Sequence, residues 1–472
     1  MRYLSIIFAG IILLLLTSSK PNSGSSEKNT PQFHLTSEMK QPNTPNGLVF
    51  YNDKYHIFYQ YLPDNGNDIL QWQHAISEDL INWERHPVTF NSNDRENCKI
   101  LSGSVVIDEK NTLAKQTGNE KTLIMFYAGQ NCGLRIAYST NEGATWENFE
   151  ENPVIPYKES DDARDPKVFW HEPTQKWIMV LSRNINDDEN STGASIYSSS
   201  NLTNWDFKSH VHGFNESPDL ISIKVANRPE ETKWILFNGD GSYIIGDFDG
   251  ETFSPETEKQ GGNNSENYFA TQTWNSISTE NKRVIQVAWL KGGDYSDMTL
   301  NGQMTFPTEI NITKSNTGYI LTRLPVNEIA LLHNKHYSFT NKNILPGLND
   351  NPIKKIKGTC FHIVAELDVK TSNNFGFALR YGKKEFGTEI VYNVVRETLS
   401  VLGTTVSVPL IDNKVSIEIL IDHTSIEIFA NGGQVAITHN IAPVEDGKKY
   451  ILVTNGGELL IKQMDIYSIK TD

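Results

Sequence analysis

A sustained 3.6-residue apolar period is missing from this sequence, which argues against a helical scaffold. Cysteine is scarce as well. Cys98, Cys132 and Cys360 make an odd set of three, too few for a disulfide framework. Cys98 and Cys132 can pair or remain separate buried thiols, and the sparse count favours thiols. No Cys/His spacing suits zinc and no Gly-rich loop is shaped to cradle phosphate, so no metal, nucleotide or other cofactor is implied. Positive charge is short: 42 Lys+Arg stand against 57 Asp+Glu, a net charge of −15. That balance disfavours nucleic acid and anionic lipid as partners; neutral partners such as sugars are indifferent to it. Tryptophan is absent after Trp289, although the chain has nine, so its last third has a different aromatic make-up.

What is present begins with Arg2, the apolar run Leu4–Leu16 and the small residues Thr17-Ser18-Ser19. These read as a secretory signal peptide over 1–19, with a retained single-span anchor as the rival. No Cys follows the run, so a lipoprotein start is not supported. Residues 20–30 form a polar, flexible leader.

A weak repeat then runs through two thirds of the chain. Ala75–Trp83, Tyr138–Trp146 and Tyr197–Trp205 are each a strand, a polar turn and a Trp, and the Trp residues recur at intervals of 63 and 59. Gly246–Phe253 is a degenerate fourth copy. Hairpin signals lie between the copies: Asn52-Asp53-Lys54 between Leu48–Tyr51 and Tyr55–Tyr61, and Asn238-Gly239-Asp240-Gly241 between Trp234–Phe237 and Tyr243–Gly246. Four-stranded units about every 60 residues predict an all-β fold, a β-propeller with room for five blades over 31–337. Residues 338–352, rich in Asn, Pro and Gly, read as a linker. The alternating strands beyond it predict a β-sandwich over 353–472.

Propeller loops converge on one mouth of the channel, so chemistry-bearing residues should be far apart in sequence. Three segments qualify: Asn43-Thr44-Pro45-Asn46-Gly47, Arg164-Asp165-Pro166 and Glu216-Ser217-Pro218-Asp219-Leu220. With Trp72-Gln73-His74-Ala75, Leu101-Ser102-Gly103-Ser104, Gln303–Pro307 and Ser425–Gly432, they resemble the motifs of glycoside hydrolase family 32, which includes invertases, levanases and inulinases. The resemblance covers nearly the whole chain. It implies a five-bladed propeller followed by a β-sandwich, and a fructose-containing oligo- or polysaccharide as partner. It also implies roles. Glu216 matches the acid/base, and Asp165 matches the residue that binds sugar hydroxyls and stabilises the oxocarbenium-like transition state. Arg164, within the matching Arg-Asp-Pro, is expected among the substrate-binding residues and can hold the acidic cluster in place, since guanidinium forks pair well with carboxylates. Asn43, Gln60, Trp72, Ser102 and Trp289 match substrate-contacting positions.

One position departs from the pattern. Where the family has Asn-Asp-Pro-Asn-Gly, with the Asp as nucleophile, this chain has Thr44. A Thr hydroxyl attacks only with a base beside it, and Gln41, Pro42 and Asn43 cannot act as one. Asn215 and Ser217 also replace the Trp and Cys usual around the acid. The expectation is a fructoside-recognising protein whose hydrolysis is lost or severely impaired. The alternative is an active β-fructofuranosidase in which another carboxylate, such as Glu38, reaches the pocket.

Overall fold

The computed structural model describes residues 30–36, 44–61, 70–90, 98–185, 188–276, 283–293, 302–347, 351–382, 387–443 and 449–470. The expected signal peptide lies outside the described residues, as do all but the last residue of the leader, Glu38, Gln41, Pro42 and Asn43.

Five antiparallel four-stranded blades form the first domain. Pro45–Tyr51, Lys54–Tyr61, Gln71–Ser77 and Glu84–Phe90 make blade one. Blade two is Ile100–Asp108, Thr122–Gly129, Gly133–Ser139 and Glu147–Asn148; blade three is Arg164–His171, Lys176–Ile185, Asp188–Ser199 and Asp206–His212. Asp219–Val225, Arg228–Phe237, Tyr243–Phe248 and Phe253–Pro255 form blade four. Tyr268–Thr273, Val284–Leu290, Thr308–Ser315 and Gly318–Pro325 form blade five. The first strands of successive blades touch, between one and two, two and three, four and five, and five and one, and they wall the central channel.

The sequence repeat has one physical basis. In blades one to three the indole Nε1 of Trp83, Trp146 and Trp205 donates to the carbonyl three residues back, Leu80, Gly143 and Leu202, at 3.1, 3.1 and 2.9 Å. Those three residues all have left-handed backbones, with φ of 64°, 84° and 69°. The turn from third to fourth strand is closed by the Trp, and Asp79, Asn141 and Asn201 bind its backbone amides.

The sandwich pairs a six-stranded sheet with a five-stranded one. Their inner faces bury Phe361, Ile363, Phe375, Phe377, Ile417, Ile419, Leu452 and Ile466. The first half of the stretch expected to be a linker, residues 338–344, belongs to a strand. His333–Ile344 pairs antiparallel with Leu459–Ile469 at the edge of the six-stranded sheet. As an edge strand it sends Tyr337 and Phe339 towards the core and leaves its Asn and Lys residues and His336 exposed, so its polar composition hid it. A second correction concerns the cysteines: Cys98 and Cys132 form a disulfide, with Cα atoms 5.7 Å apart. Their loops meet above Gly129, a closeness no sequence spacing reveals. Cys360 is a buried thiol whose pKa burial pushes up.

The two domains share a core in which Phe33, Met304 and Phe306 pack with Leu420, Phe429 and Ile469. His34 anchors this junction, with Nδ1 2.7 Å from Asp422 and Nε2 2.8 Å from Glu427, all three buried.

Candidate active site

Five of the expected site residues lie at one end of the channel because they sit at or just before the start of a blade's first strand. Thr44 precedes the first of blade one, Ser102 opens that of blade two, Arg164 and Asp165 that of blade three, and Glu216 lies just before that of blade four. Blades one, two, three and five all carry a register shift there, between Pro45 and Gly47, Ile100 and Gly103, opposite Val180/Ser182, and between Phe269 and Gln272. Each shift inserts one extra residue, and such bulges re-aim side chains. Asp165 and Ser217 adopt left-handed φ of 54° and 42°, backbone strain of the kind that gathers at functional sites.

A chain of contacts joins these residues. Thr44 Oγ1 donates to Gln60 Oε1 at 2.8 Å, and Gln60 N donates to the Thr44 carbonyl at 3.1 Å. Gln60 pairs across strands with Trp72, whose Nε1 donates to the Leu101 carbonyl at 2.8 Å. Ser102 Oγ accepts from Asp165 N at 2.9 Å. Asp165 Oδ2 accepts from Ser217 N at 2.9 Å and lies 3.9 Å from Arg164 Nε. Arg164 Nη2 donates to Glu216 Oε1 at 3.0 Å and to the Asn215 carbonyl at 2.9 Å. Asn238 Oδ1 accepts from the amides of Asn215 and Glu216 at 3.1 and 3.3 Å. Burial opposes the charge of Arg164, yet its bond to Glu216 and the nearby carboxylates raise its pKa overall. The side chain of Asp165 is 10% exposed and that of Glu216 39%. The pocket therefore offers two carboxylates, one guanidinium and several neutral hydrogen-bonding groups.

One expected contact comes out differently. Trp72 is fully buried, its ring lying over Gly103, so it presents no face to a sugar and walls the pocket from behind. The side chain had to fill the space that glycine leaves open. Trp289 is half-buried on blade five, 6.4 Å edge-on from Phe269, and its indole Nε1 has no hydrogen-bond partner among the described residues. Sequence reading missed Asp162, which forms a short bond to Arg164 Nη1, and Asn238. Asp162 stands two residues before Arg164, a spacing that was the only signal available. The cavity at the opposite end of the channel, about 290 Å³ and lined by Phe169, Trp170, Trp234 and Trp274, contains neither Asp165 nor Glu216.

Comparison with known proteins agrees with this arrangement. Residues 34–324 match the model of the glycosyl hydrolases family 32 N-terminal domain, and residues 328–468 that of the family 32 C terminal. The chain is 30% identical to a levanase of Bacillus subtilis (strain 168), over 99% of this chain and 75% of that protein. An extracellular exo-inulinase of Aspergillus awamori is 28% identical, over 93% of this chain and 94% of the relative. A crystal structure of exo-inulinase from Aspergillus awamori superposes with a TM-score of 0.82 at 25% identity, covering 94% of this chain and 99% of the other. With both domain models matched in order across a propeller and a sandwich, this chain belongs to glycosyl hydrolases family 32.

Proposed function

We propose that this protein recognises β-fructosides and has lost rapid hydrolysis of them. Thr44 carries the reading. It stands at the nucleophile position, and its hydroxyl donates to the amide oxygen of Gln60, a group that cannot take its proton. Retaining cleavage needs a carboxylate there, opposite the acid. Removing a nucleophile costs on the order of 10⁶ in rate, or roughly 8 kcal/mol of barrier. In this reading Glu216 holds the acid/base position, and Asp165 binds sugar hydroxyls. Asn43, Gln60, Ser102 and Trp289 make further sugar contacts. Sugar binding by hydrogen bonds needs none of the lost chemistry.

The ligand in this reading is a fructose-containing oligo- or polysaccharide, supported by relatives named levanase and exo-inulinase. Export is supported by the Cys98–Cys132 disulfide, which suits an oxidising compartment, and by a relative named extracellular. An active fructosidase would need a substitute carboxylate. Asp162, the one that the structure adds, is clustered with Glu216 on Arg164.

The test is Thr44→Asp, assayed for reducing sugar released from sucrose, levan and inulin beside the wild type, with affinity electrophoresis in fructan gels. Wild-type retardation without turnover, and a gain of turnover in the variant, are expected. Brisk wild-type turnover would sink the reading, and so would wild-type migration unaffected by fructan.

A further inference from the structure

Beneath the pocket, the channel is braced by a buried ion pair. Lys167 Nζ lies 3.2 Å from Asp219 Oδ1, and their side chains are 5% and 1% exposed. Lys167 is on blade three, two residues beyond Asp165; Asp219 is on blade four, three residues beyond Glu216. Thr273 of blade five closes the unit. Its carbonyl and Oγ1 accept from Lys167 Nζ at 2.7 and 3.1 Å, and its amide and Oγ1 donate to Asp219 Oδ2 at 2.7 and 2.8 Å. One layer further in, Asn275 repeats the device without charge. Its Nδ2 donates to the carbonyls of Val105 and Val168 at 3.0 and 3.2 Å, and its amide to that of Leu48 at 2.9 Å.

Such a pair is a poor investment in stability alone. Desolvating two charges costs several kcal/mol each, and apolar replacements of similar volume are often as stable or more so. Burial by itself depresses the Lys167 pKa, with Asp219 only partly opposing. What apolar packing cannot supply is direction: the ammonium and carboxylate fix three strands at one height and one rotation. Two of those strands begin with, or directly follow, the site's carboxylates. Asp165 and Ser217, the residue after Glu216, have left-handed backbones, and both carboxylates face Arg164, one at Nε and the other at Nη2.

We propose that Lys167 and Asp219 are positioning residues that set the spacing of Asp165 and Glu216 for sugar, rather than a stability element. This rests on those two carboxylates being the sugar-binding pair. The test is the double variant Lys167→Met/Asp219→Leu, which removes both charges and leaves no unpaired ion. Relief of charge desolvation offsets the bonds that Thr273 loses, so it should fold with a melting temperature close to that of the wild type. Its crystal structure should show the Asp165 and Glu216 carboxyl groups displaced by about 1 Å or more, and fructan binding should fall roughly tenfold to a hundredfold, since a hydrogen bond to a charged group is lost at that displacement. Thr273→Val, which keeps both charges and removes only the hydroxyl, should lose some stability with its bond to the Asp219 carboxylate but stay folded and weaken binding a fewfold, and the position of its carboxyl groups decides the question if the double variant does not fold. Carboxyl groups that superpose within about 0.5 Å, or binding equal to wild type in a folded variant, would overturn the proposal. Should the wild type itself ignore fructan, the functional reading fails, and the carboxyl displacement still decides this one.

Discussion

Arg164 and Glu216 belong to different blades, yet Nη2 of the first donates to Oε1 of the second at 3.0 Å. With Asp162 on Nη1 and Asp165 at 3.9 Å, one guanidinium organises every acid identified at the mouth. Bonds to a charged group contribute about 1.5–3 kcal/mol each. Arg164→Ala should therefore weaken fructan binding by roughly tenfold to a hundredfold. Arg164→Lys should recover little of it, because an ammonium lacks the planar fork. Unchanged affinity of the Ala variant in calorimetric titration would show that the cluster does not serve the sugar.

Much of this site was legible in the sequence, for a physical reason. Blade strands start at one mouth, so Thr44, Ser102, Arg164, Asp165 and Glu216 each announce themselves by a polar residue beside Pro or Gly at a strand's edge. The hairpin at Asn52 and Asp53 was equally plain, and both residues have the positive φ such a turn needs, 50° and 59°. What stayed hidden depends on how strands and blades come together. Lys167 meets Asp219 and Thr273 only after three blades come together, and Cys98 meets Cys132 only once the register of the first two strands of blade two is fixed. His333–Ile344 was hidden differently: an edge strand exposes most of its length, so its composition resembles a loop's. Trp72 misled because a Trp in a sugar-binding family invites a stacking role, whereas its fate was decided by the missing side chain at Gly103.

That same gap gives a stability prediction. A Cβ at Gly103 would lie 2.1 Å from the Phe126 carbonyl oxygen and 2.7 Å from the Trp72 ring. The first neighbour is backbone and cannot swing away. Gly103→Ala should destabilise by at least the ~1–3 kcal/mol of ordinary overpacking. It should also loosen Ser102, whose hydroxyl holds the Asp165 amide. Gly261→Ala, where nothing lies within 4 Å, is the control and should melt like the wild type. Equal urea midpoints for both variants would contradict the close packing of Trp72.

Reduction of the Cys98–Cys132 bridge should be felt in the unfolding equilibrium. It spans 34 residues, and closing a loop of that length removes roughly 3–4 kcal/mol of unfolded-state entropy on the chain-entropy model. Cys98→Ser/Cys132→Ser should therefore unfold at clearly lower urea, while wild-type protein in reductant should match it. Cys360, buried and remote from both, should make no difference to that comparison when changed to Ala under reducing and oxidising conditions alike. A double variant as stable as oxidised wild type would mean that the bridge contributes nothing.

The junction between the domains should make stability fall on the alkaline side. Burial alone would lower the pKa of His34, but its bonds to Asp422 and Glu427 and their charges outweigh that and raise it to about 9, from 6.5. A cation favoured by the fold stabilises fully below the unfolded pKa and loses that contribution as pH rises through the folded one, so the loss should run from about pH 6.5 to beyond pH 9. Its full size is on the order of 3 kcal/mol. Asp422 works from the other side. Burial would raise its pKa, yet the bond from His34 lowers it below 3.8, so its contribution is present above that value and fades in stronger acid. Urea midpoints measured from pH 5 to 10 should decline above pH 6.5 in the wild type. The decline should be much flatter in His34→Gln, which starts less stable because two buried carboxylates lose their cation. If the two proteins decline in parallel, His34 is not the group that titrates.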